Sequence, residues 1–245
     1  MTPQPLTSPL LRENPPATEL SLLEDGARYA LLQRLTPVLQ HQLMGNFQSM
    51  DMIAVMMDRR LESASPDLES MRQDCALLGS VSESAIKSVI DLLTWVRPKP
   101  AVTQRFDAGV EECATLLRNE FKLKGFVIAN EVLQVAAEFS SQSIRSVVSA
   151  ALVCLSDQST APGTLTLRAQ VLSNRIDLSI DLRIHESQSP GIPHANGCRL
   201  INWRHLELLA SAESVGIVRN DSGVQLAFKL PSINPELAAD LPDAC

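Results

Sequence analysis

The sequence predicts an α+β fold in which a helical hairpin is followed by an α/β sandwich, and three observations carry that prediction. Two long stretches, Leu32 to Leu61 and Leu68 to Val96, repeat apolar residues at spacings of three and four across a short polar turn. Beyond Arg97, Pro98, Lys99 and Pro100 the periodicity changes to alternating short strand-like and helix-like runs. Near the end, Asn220, Asp221, Ser222 and Gly223 separate two apolar runs, the composition of a tight hairpin turn.

Residues 1–20, rich in Pro, Ser and Thr and without periodicity, are expected to form a disordered tail. Ser21 followed by Glu24 fits a capping box and places the first helix start near Leu22. Pro37 is expected to bend or locally break that helix, because it lacks an N–H and crowds the preceding turn. The seam then reads Leu32, Leu35, Leu39, Leu43, Met50, Ile53, Met57 and Leu61, with Asn46 in its one polar slot.

After the turn ESASPD, Pro66 opens a second helix running to about Val96, with Leu68, Met71, Cys75, Leu78, Val81, Ala85, Val89, Leu92 and Val96 as its seam. Two helices cannot enclose two such stripes, whereas hairpins from two copies form a dimeric four-helix bundle. A homodimer is therefore expected, the competing arrangement being a monomer whose hairpin folds onto its own C-terminal domain. The prolines at 98 and 100 mark a stiff hinge, giving a hairpin over 21–98, a sandwich over 101–231 and a tail over 232–245.

Within the second part the expected order is a strand at 101–106, a helix at 108–122, a strand at 126–132 and a helix at 142–155. A β-hairpin over 164–171 and 175–184, a helix at 198–212 and a hairpin over 215–219 and 224–230 complete it. That order gives a mixed sheet with helices on one face.

Composition narrows the function. A net charge of −7 without clustered Lys or Arg argues against nucleic-acid and anionic-membrane surfaces, and 4% aromatic residues leave no base-stacking platform. Cys75, Cys113, Cys154, Cys198 and Cys245 include no CxxC pair and read as reduced core residues of a cytoplasmic protein. Neither a secretion signal nor a membrane-spanning run is apparent, so no membrane and no nucleic-acid partner is expected.

One residue stands out as chemistry on this scaffold. At about 100° per residue His41 lies roughly 200° from Leu39, on the face of Arg34, Gly45, Gln48 and Arg59, and is expected to point outward. Gly45 costs about 1 kcal/mol of helix stability against Ala and leaves bare backbone beside the imidazole. The competing reading is an ordinary surface histidine. Met50, Met52, Met56 and Met57 read as bundle packing, with Met52 also a candidate partner contact. His185, His194 and His205 lack metal-site spacing, and His205 reads as a surface or capping residue.

The run HQLMGNFQSM at 41–50 resembles the H-x-L-x-G segment of bacterial histidine phosphotransferases built on a sensor histidine kinase scaffold. GCRLINWRHLELLASAESVGIVRNDSGVQLAFKLP resembles the end of the GHKL ATPase domain that follows the hairpin in those kinases. The resemblance spans about residues 22 to 231 and implies an α/β sandwich of the histidine-kinase ATPase type. It also implies a phospho-acceptor role for His41, with Gln42, Gly45 and Asn46 around it and Gln48, Met52 and Arg59 meeting a response-regulator receiver domain.

Departures from the kinase pattern bear on mechanism. Val153 stands where the Mg²⁺-binding Asn is expected, Asp181 has no glycines after it, and Gly197 is alone in the last glycine box. The resemblance therefore implies no cofactor and no metal. Gln42 replaces the acidic neighbour that serves as a base, and Asn46 replaces a common Pro. Three readings follow in order: phosphorelay between receiver aspartates through His41 without ATP, a pseudokinase scaffold, and an active kinase with an atypical ATP site.

Overall fold

The computed structural model describes residues 17–63, 65, 67–96, 102–185 and 199–230. Arg97 to Pro100 and Pro66, where the hinge and a helix start were expected, lie outside the described residues. The α+β class and the order of hairpin, then sheet and helices, are as the sequence predicts.

Helix α1 (Ala17–Leu61) is continuous through Pro37. It starts before Ser21 and Glu24, so both sit inside the helix and form no capping box, and 17–20 belong to the helix rather than to a tail. Pro37 costs an interior helix about 3 kcal/mol. Burial of Leu35 and Leu39 on either side of it offsets that cost. In the turn before the proline, Thr36 Oγ1 donates to the Leu32 carbonyl at 2.8 Å.

Helix α2 (Leu68–Val96) returns along α1. Ile53 and Ala85 are buried between the two helices, and Leu43, Met50, Met57, Leu78 and Val81 are half-buried. Asn46 Nδ2 donates to Ser88 Oγ at 3.1 Å, so the polar slot is satisfied across the hairpin. The predicted α2 seam divides into two rows. Asp74, Leu78, Val81 and Ala85 face α1, with Asp74 paired to Arg60 at 2.6 Å, whereas Leu68, Cys75 and Val89 are exposed. The row of Leu68, Cys75, Ile86 and Leu93 lies about 100° round the helix from the first. Cys75 is therefore not a core residue, although Cys113 and Cys154 are.

The second part comprises β1 (Thr103–Arg105), α3 (Phe106–Leu123), β2 (Val127–Asn130), β3 (Glu138–Ser140), α4 (Ser141–Gln158), β4 (Gly163–Val171), β5 (Arg175–Ile184), α5 (Trp203–Ala212), β6 (Gly216–Arg219) and β7 (Gly223–Lys229). Gly125, at φ 80°, turns the chain from α3 towards β2. Five strands form a mixed sheet in the order β2-β4-β5-β7-β6, with β2 parallel to β4 and the other pairs antiparallel. The short β1 pairs instead with β3, a strand the sequence reading missed.

Strand alternation builds the core. Leu165, Leu167, Ile176, Leu178, Ile180, Val224, Leu226 and Phe228 are buried on the face covered by the helices. Phe106, Phe139 and Phe228 meet edge to face, with centroids 5.1–5.9 Å apart, and tie α3, β3 and β7 together. Helix α4 is buried on every side from Val147 to Asp157, a stretch that is apolar apart from Ser149, Ser156 and Asp157.

The first part of α1 joins this core. Ala27, Ala30, Leu31, Leu35 and Leu39 belong to the same buried cluster as the sheet and helices. The molecule thus has three layers at this end: sheet, the helices α3 to α5, and the α1 stem. Only beyond Leu39 does the hairpin stand clear.

Candidate functional site

His41 is exposed on α1, and among the described residues no hydrogen bond or ion pair engages its ring. Helical geometry puts Gly45 one turn on and Gln48 two turns on, along the same side. A methyl group added at Gly45 would meet nothing within 4 Å, so the backbone there is open to close approach. Gln42, Met44, Gln48 and Met52 are exposed around the histidine.

Two predicted neighbours stand elsewhere. Asn46 faces α2 through its bond to Ser88 and is a hairpin residue. Arg59 is exposed on the side of His41, but the intervening residues separate them by about 27 Å along the helix axis. A partner centred on His41 reaches Met52 before it reaches Arg59.

The face that carries His41 is covered immediately upstream. Arg34, expected to point into water, is only 2% exposed. Its guanidinium is held between α3 and α4: Nε and Nη2 donate to the two oxygens of Asp157 at 3.2 and 3.0 Å, and Nη2 also lies 2.7 Å from Glu120 Oε1. Burial alone would lower the Arg34 pKa, but the two carboxylates hold it above its ordinary value. Glu120 is likewise pulled below the usual carboxylate range by Arg34 and Lys124 in spite of its burial. The sequence reading failed here because periodicity gives a bearing, not what covers that bearing. The available signal was the pair Ala27 and Ala30, whose small side chains let another element pack closely on α1.

Further contacts fasten the stem at both ends. Arg28 pairs with Glu213 at 2.9 Å, and Glu213 also accepts from Gln142 and Ser143 of α4. From the other helix, Thr94 accepts from Arg145 of α4, which also pairs with Glu112 of α3 at 2.7 Å. Hairpin stem and α/β layers are thereby joined by charge-assisted bonds as well as by a shared apolar core.

Of the three positions compared with kinase nucleotide boxes, the two that are described, Val153 and Asp181, do not come together. Val153 has 0% exposure inside the core, so it offers no surface to a ligand. Asp181 lies on β5 out of phase with Ile176, Leu178 and Ile180, hence on the sheet face opposite the helices, where it accepts from Ser222 Oγ at 3.4 Å. Gly197 lies outside the described residues. Helix α5 begins at Trp203 rather than at Cys198, capped by Asn202, whose side chain accepts from the His205 N–H while His205 Nδ1 accepts from the Asn202 N–H. His205 is a capping residue.

Among solved structures the chain is similar to a histidine kinase, AdeS, of Acinetobacter baumannii, at 16% identity over 74% of this chain and 96% of that one, with a TM-score of 0.41. It is similar to a histidine kinase from Burkholderia phymatum at 13% identity over 78% and 96% of the two chains, TM-score 0.39. A bacterial phosphotransferase aligns over 89% of this chain and 99% of its own at 12% identity, TM-score 0.37. No family model and no curated protein matches the sequence. Likenesses this distant assign no activity, so function has to be read from the chain's own residues. Among the described residues no helix is long and apolar enough to cross a membrane.

Proposed function

We propose that this protein is a two-component phosphotransferase that moves phosphoryl groups between response-regulator receiver domains through His41, without ATP and as a homodimer. The hairpin over 21–98 does the chemistry, and the domain over 101–231 serves as its fixed support. The observation that carries this reading is an exposed histidine beside open backbone at Gly45, one helical stretch beyond a domain locked onto the same helix by the buried Arg34.

In the first step a ring nitrogen of His41 donates its lone pair to the phosphorus of an aspartyl phosphate. The P–N bond forms as the acyl P–O bond breaks, and the receiver recovers its aspartate carboxylate. The reverse step loads the next receiver. Mg²⁺ and the acidic pocket belong to the receiver, so this chain has to supply only an accessible imidazole and a surface that positions the partner. Because no side chain among the described residues orients the ring, the partner supplies that constraint.

Label transfer from a phosphorylated receiver tests the proposal. Acid-labile phosphate is expected on the wild-type protein and not on His41→Ala; absence of label from both removes the relay. The unoriented ring favours one second reading, a scaffold that binds a receiver or kinase without transfer, which would show as binding without label. Micromolar affinity for Mg-ATP would contradict both, because it requires a ligand surface that the buried Val153 does not offer.

A further inference from the structure

Helix α5 lies antiparallel to α1, and this fixes which end of it approaches His41. Arg28 of α1 pairs with Glu213 at the C-terminal end of α5. Arg34, six residues on, shares Asp157 Oδ2 with the backbone N–H of Ile201, which donates at 3.0 Å from just before the α5 N-cap. Continuing along α1 from Arg34, His41 follows after about 10 Å and within about 20° of the same bearing. The N-terminal end of α5 is therefore the end of that helix nearer the histidine, on the side of α1 that the histidine faces.

That end is cationic. Arg199, Arg204 and Arg219 are exposed, and among the described residues none of the three has an ion-pair partner. Arg219 stacks over Trp203 with its guanidinium carbon 4.4 Å from the ring centroid, Arg204 follows Trp203 in the first turn of α5, and Arg199 stands just ahead of the Asn202 cap. Glu207, one turn into α5, is the nearby acid along the helix. The positive end of the α5 dipole adds to the same potential. The chain as a whole is acidic, at a net charge of −7, so three arginines with no ion-pair partner among the described residues stand against its general charge.

We propose that Arg199, Arg204 and Arg219 form a second docking point for the receiver domain that presents its aspartate to His41, received through acidic side chains on the rim of that domain. The proposal rests on the relay reading and adds a partner surface to it. A standard interface covers about 800 Å² per partner, a disc of roughly 16 Å radius. Centred on His41, such a disc extends past the end of the hairpin's free surface and onto this edge. The arginines act at the rim, where charges steer encounter and select partners more than they hold the complex together.

Transfer kinetics separate this docking point from the relay itself. The receiver domains of the source organism, phosphorylated with acetyl phosphate, are assayed against wild type, R199E/R204E and R199K/R204K at low and high salt, with folding checked by circular dichroism. The expected result is a KM about tenfold higher in R199E/R204E, with kcat unchanged and most of the salt dependence lost, while R199K/R204K stays near wild type. If R199E/R204E keeps the wild-type KM and salt dependence, the docking point is wrong and the relay stands. If no receiver transfers to wild type, the relay reading falls and the docking point falls with it.

Discussion

The Arg34 guanidinium meets the Asp157 carboxylate through two nitrogens, at 3.2 and 3.0 Å, across 123 positions of sequence. It is the contact by which the stem of a long helix becomes part of the α/β core, two turns before the helix presents His41. The same guanidinium reaches Glu120, so one cation bridges acids from two helices, with Lys124 also paired to Glu120.

Removing that cation takes from Asp157 and Glu120 the guanidinium they share, although Ile201 N–H still donates to Asp157 and Lys124 still pairs with Glu120. Arg34→Ala is expected to destabilise the fold by about 3–5 kcal/mol, the range for breaking one side of a buried pair. Replacing the set with Arg34→Met, Asp157→Asn and Glu120→Gln should cost much less, because the buried guanidinium and the two carboxylates it pairs with are neutralised together. Urea midpoints of the single and triple variants measure the difference, and equal losses would show that the site contributes packing alone.

Glu120 makes stability sensitive to acid. Burial pushes its pKa up, but the hydrogen bond and charge of Arg34, with help from Lys124, bring it below the ordinary value of 4.5. A folded-state pKa below the unfolded one means that the unfolded chain binds the proton more readily. The contribution is therefore complete above pH 4.5 and is lost as pH falls through the folded value. The stability difference between wild type and Glu120→Gln should be constant from pH 7 to about 5 and shrink below that. A difference that grows on acidification would mean that the carboxyl is protonated in the native state.

His205 should respond in a higher window. Burial first, then Arg199 and Arg204, lower its pKa from 6.5, and its Nδ1 accepts the Asn202 N–H in the α5 cap. The imidazolium has no free acceptor at that nitrogen, so protonation opens the cap. The unfolded chain again binds the proton more readily, and the cap's contribution is present above pH 6.5 and lost as pH falls through the lower folded value. An NMR titration of His205 is expected to show a midpoint below 6.5, with hydrogen exchange at the α5 start rising in step. A midpoint above 6.5 would mean that the ring does not accept this bond.

Much of the fold was legible because hydrophobic period reports it directly. The strands β4, β5 and β7 and the helices α3 and α4 lie within a few residues of their expected places, where alternation or an apolar run was long. Legibility ended where tertiary contact overrides local signal. Pro37 did not break a helix anchored on both sides, Ser21 did not cap a helix that had already begun, and three-residue β3 is too short to show a period. For the site, His41 was placed on an exposed face, but the cover over that face at Arg34 came from Glu120 and Asp157, far along the chain on α3 and α4. A bearing computed along one helix cannot show this.

The free half of the hairpin carries the last expectation. Ile86 is 58% and Leu93 58% exposed, in one row with Leu68 and Cys75, and Phe47 and Met44 are exposed on the opposing helix. Fully burying such a side chain stabilises an assembly by about 1.5–3 kcal/mol, so this row left in water is a large unmet driving force. A second copy applied along it would complete the four-helix bundle, and Ile86→Glu with Leu93→Glu would place charges in that interface. Light scattering at micromolar concentration should give a dimer for wild type and a monomer for the double variant, with Leu133→Glu, on the far domain, remaining dimeric. Because the stem is held by Arg34 and the shared core rather than by the free end of the hairpin, the monomer should keep its α/β domain folded. A wild-type chain that scatters as a monomer would leave the row uncovered and remove the bundle from the proposal.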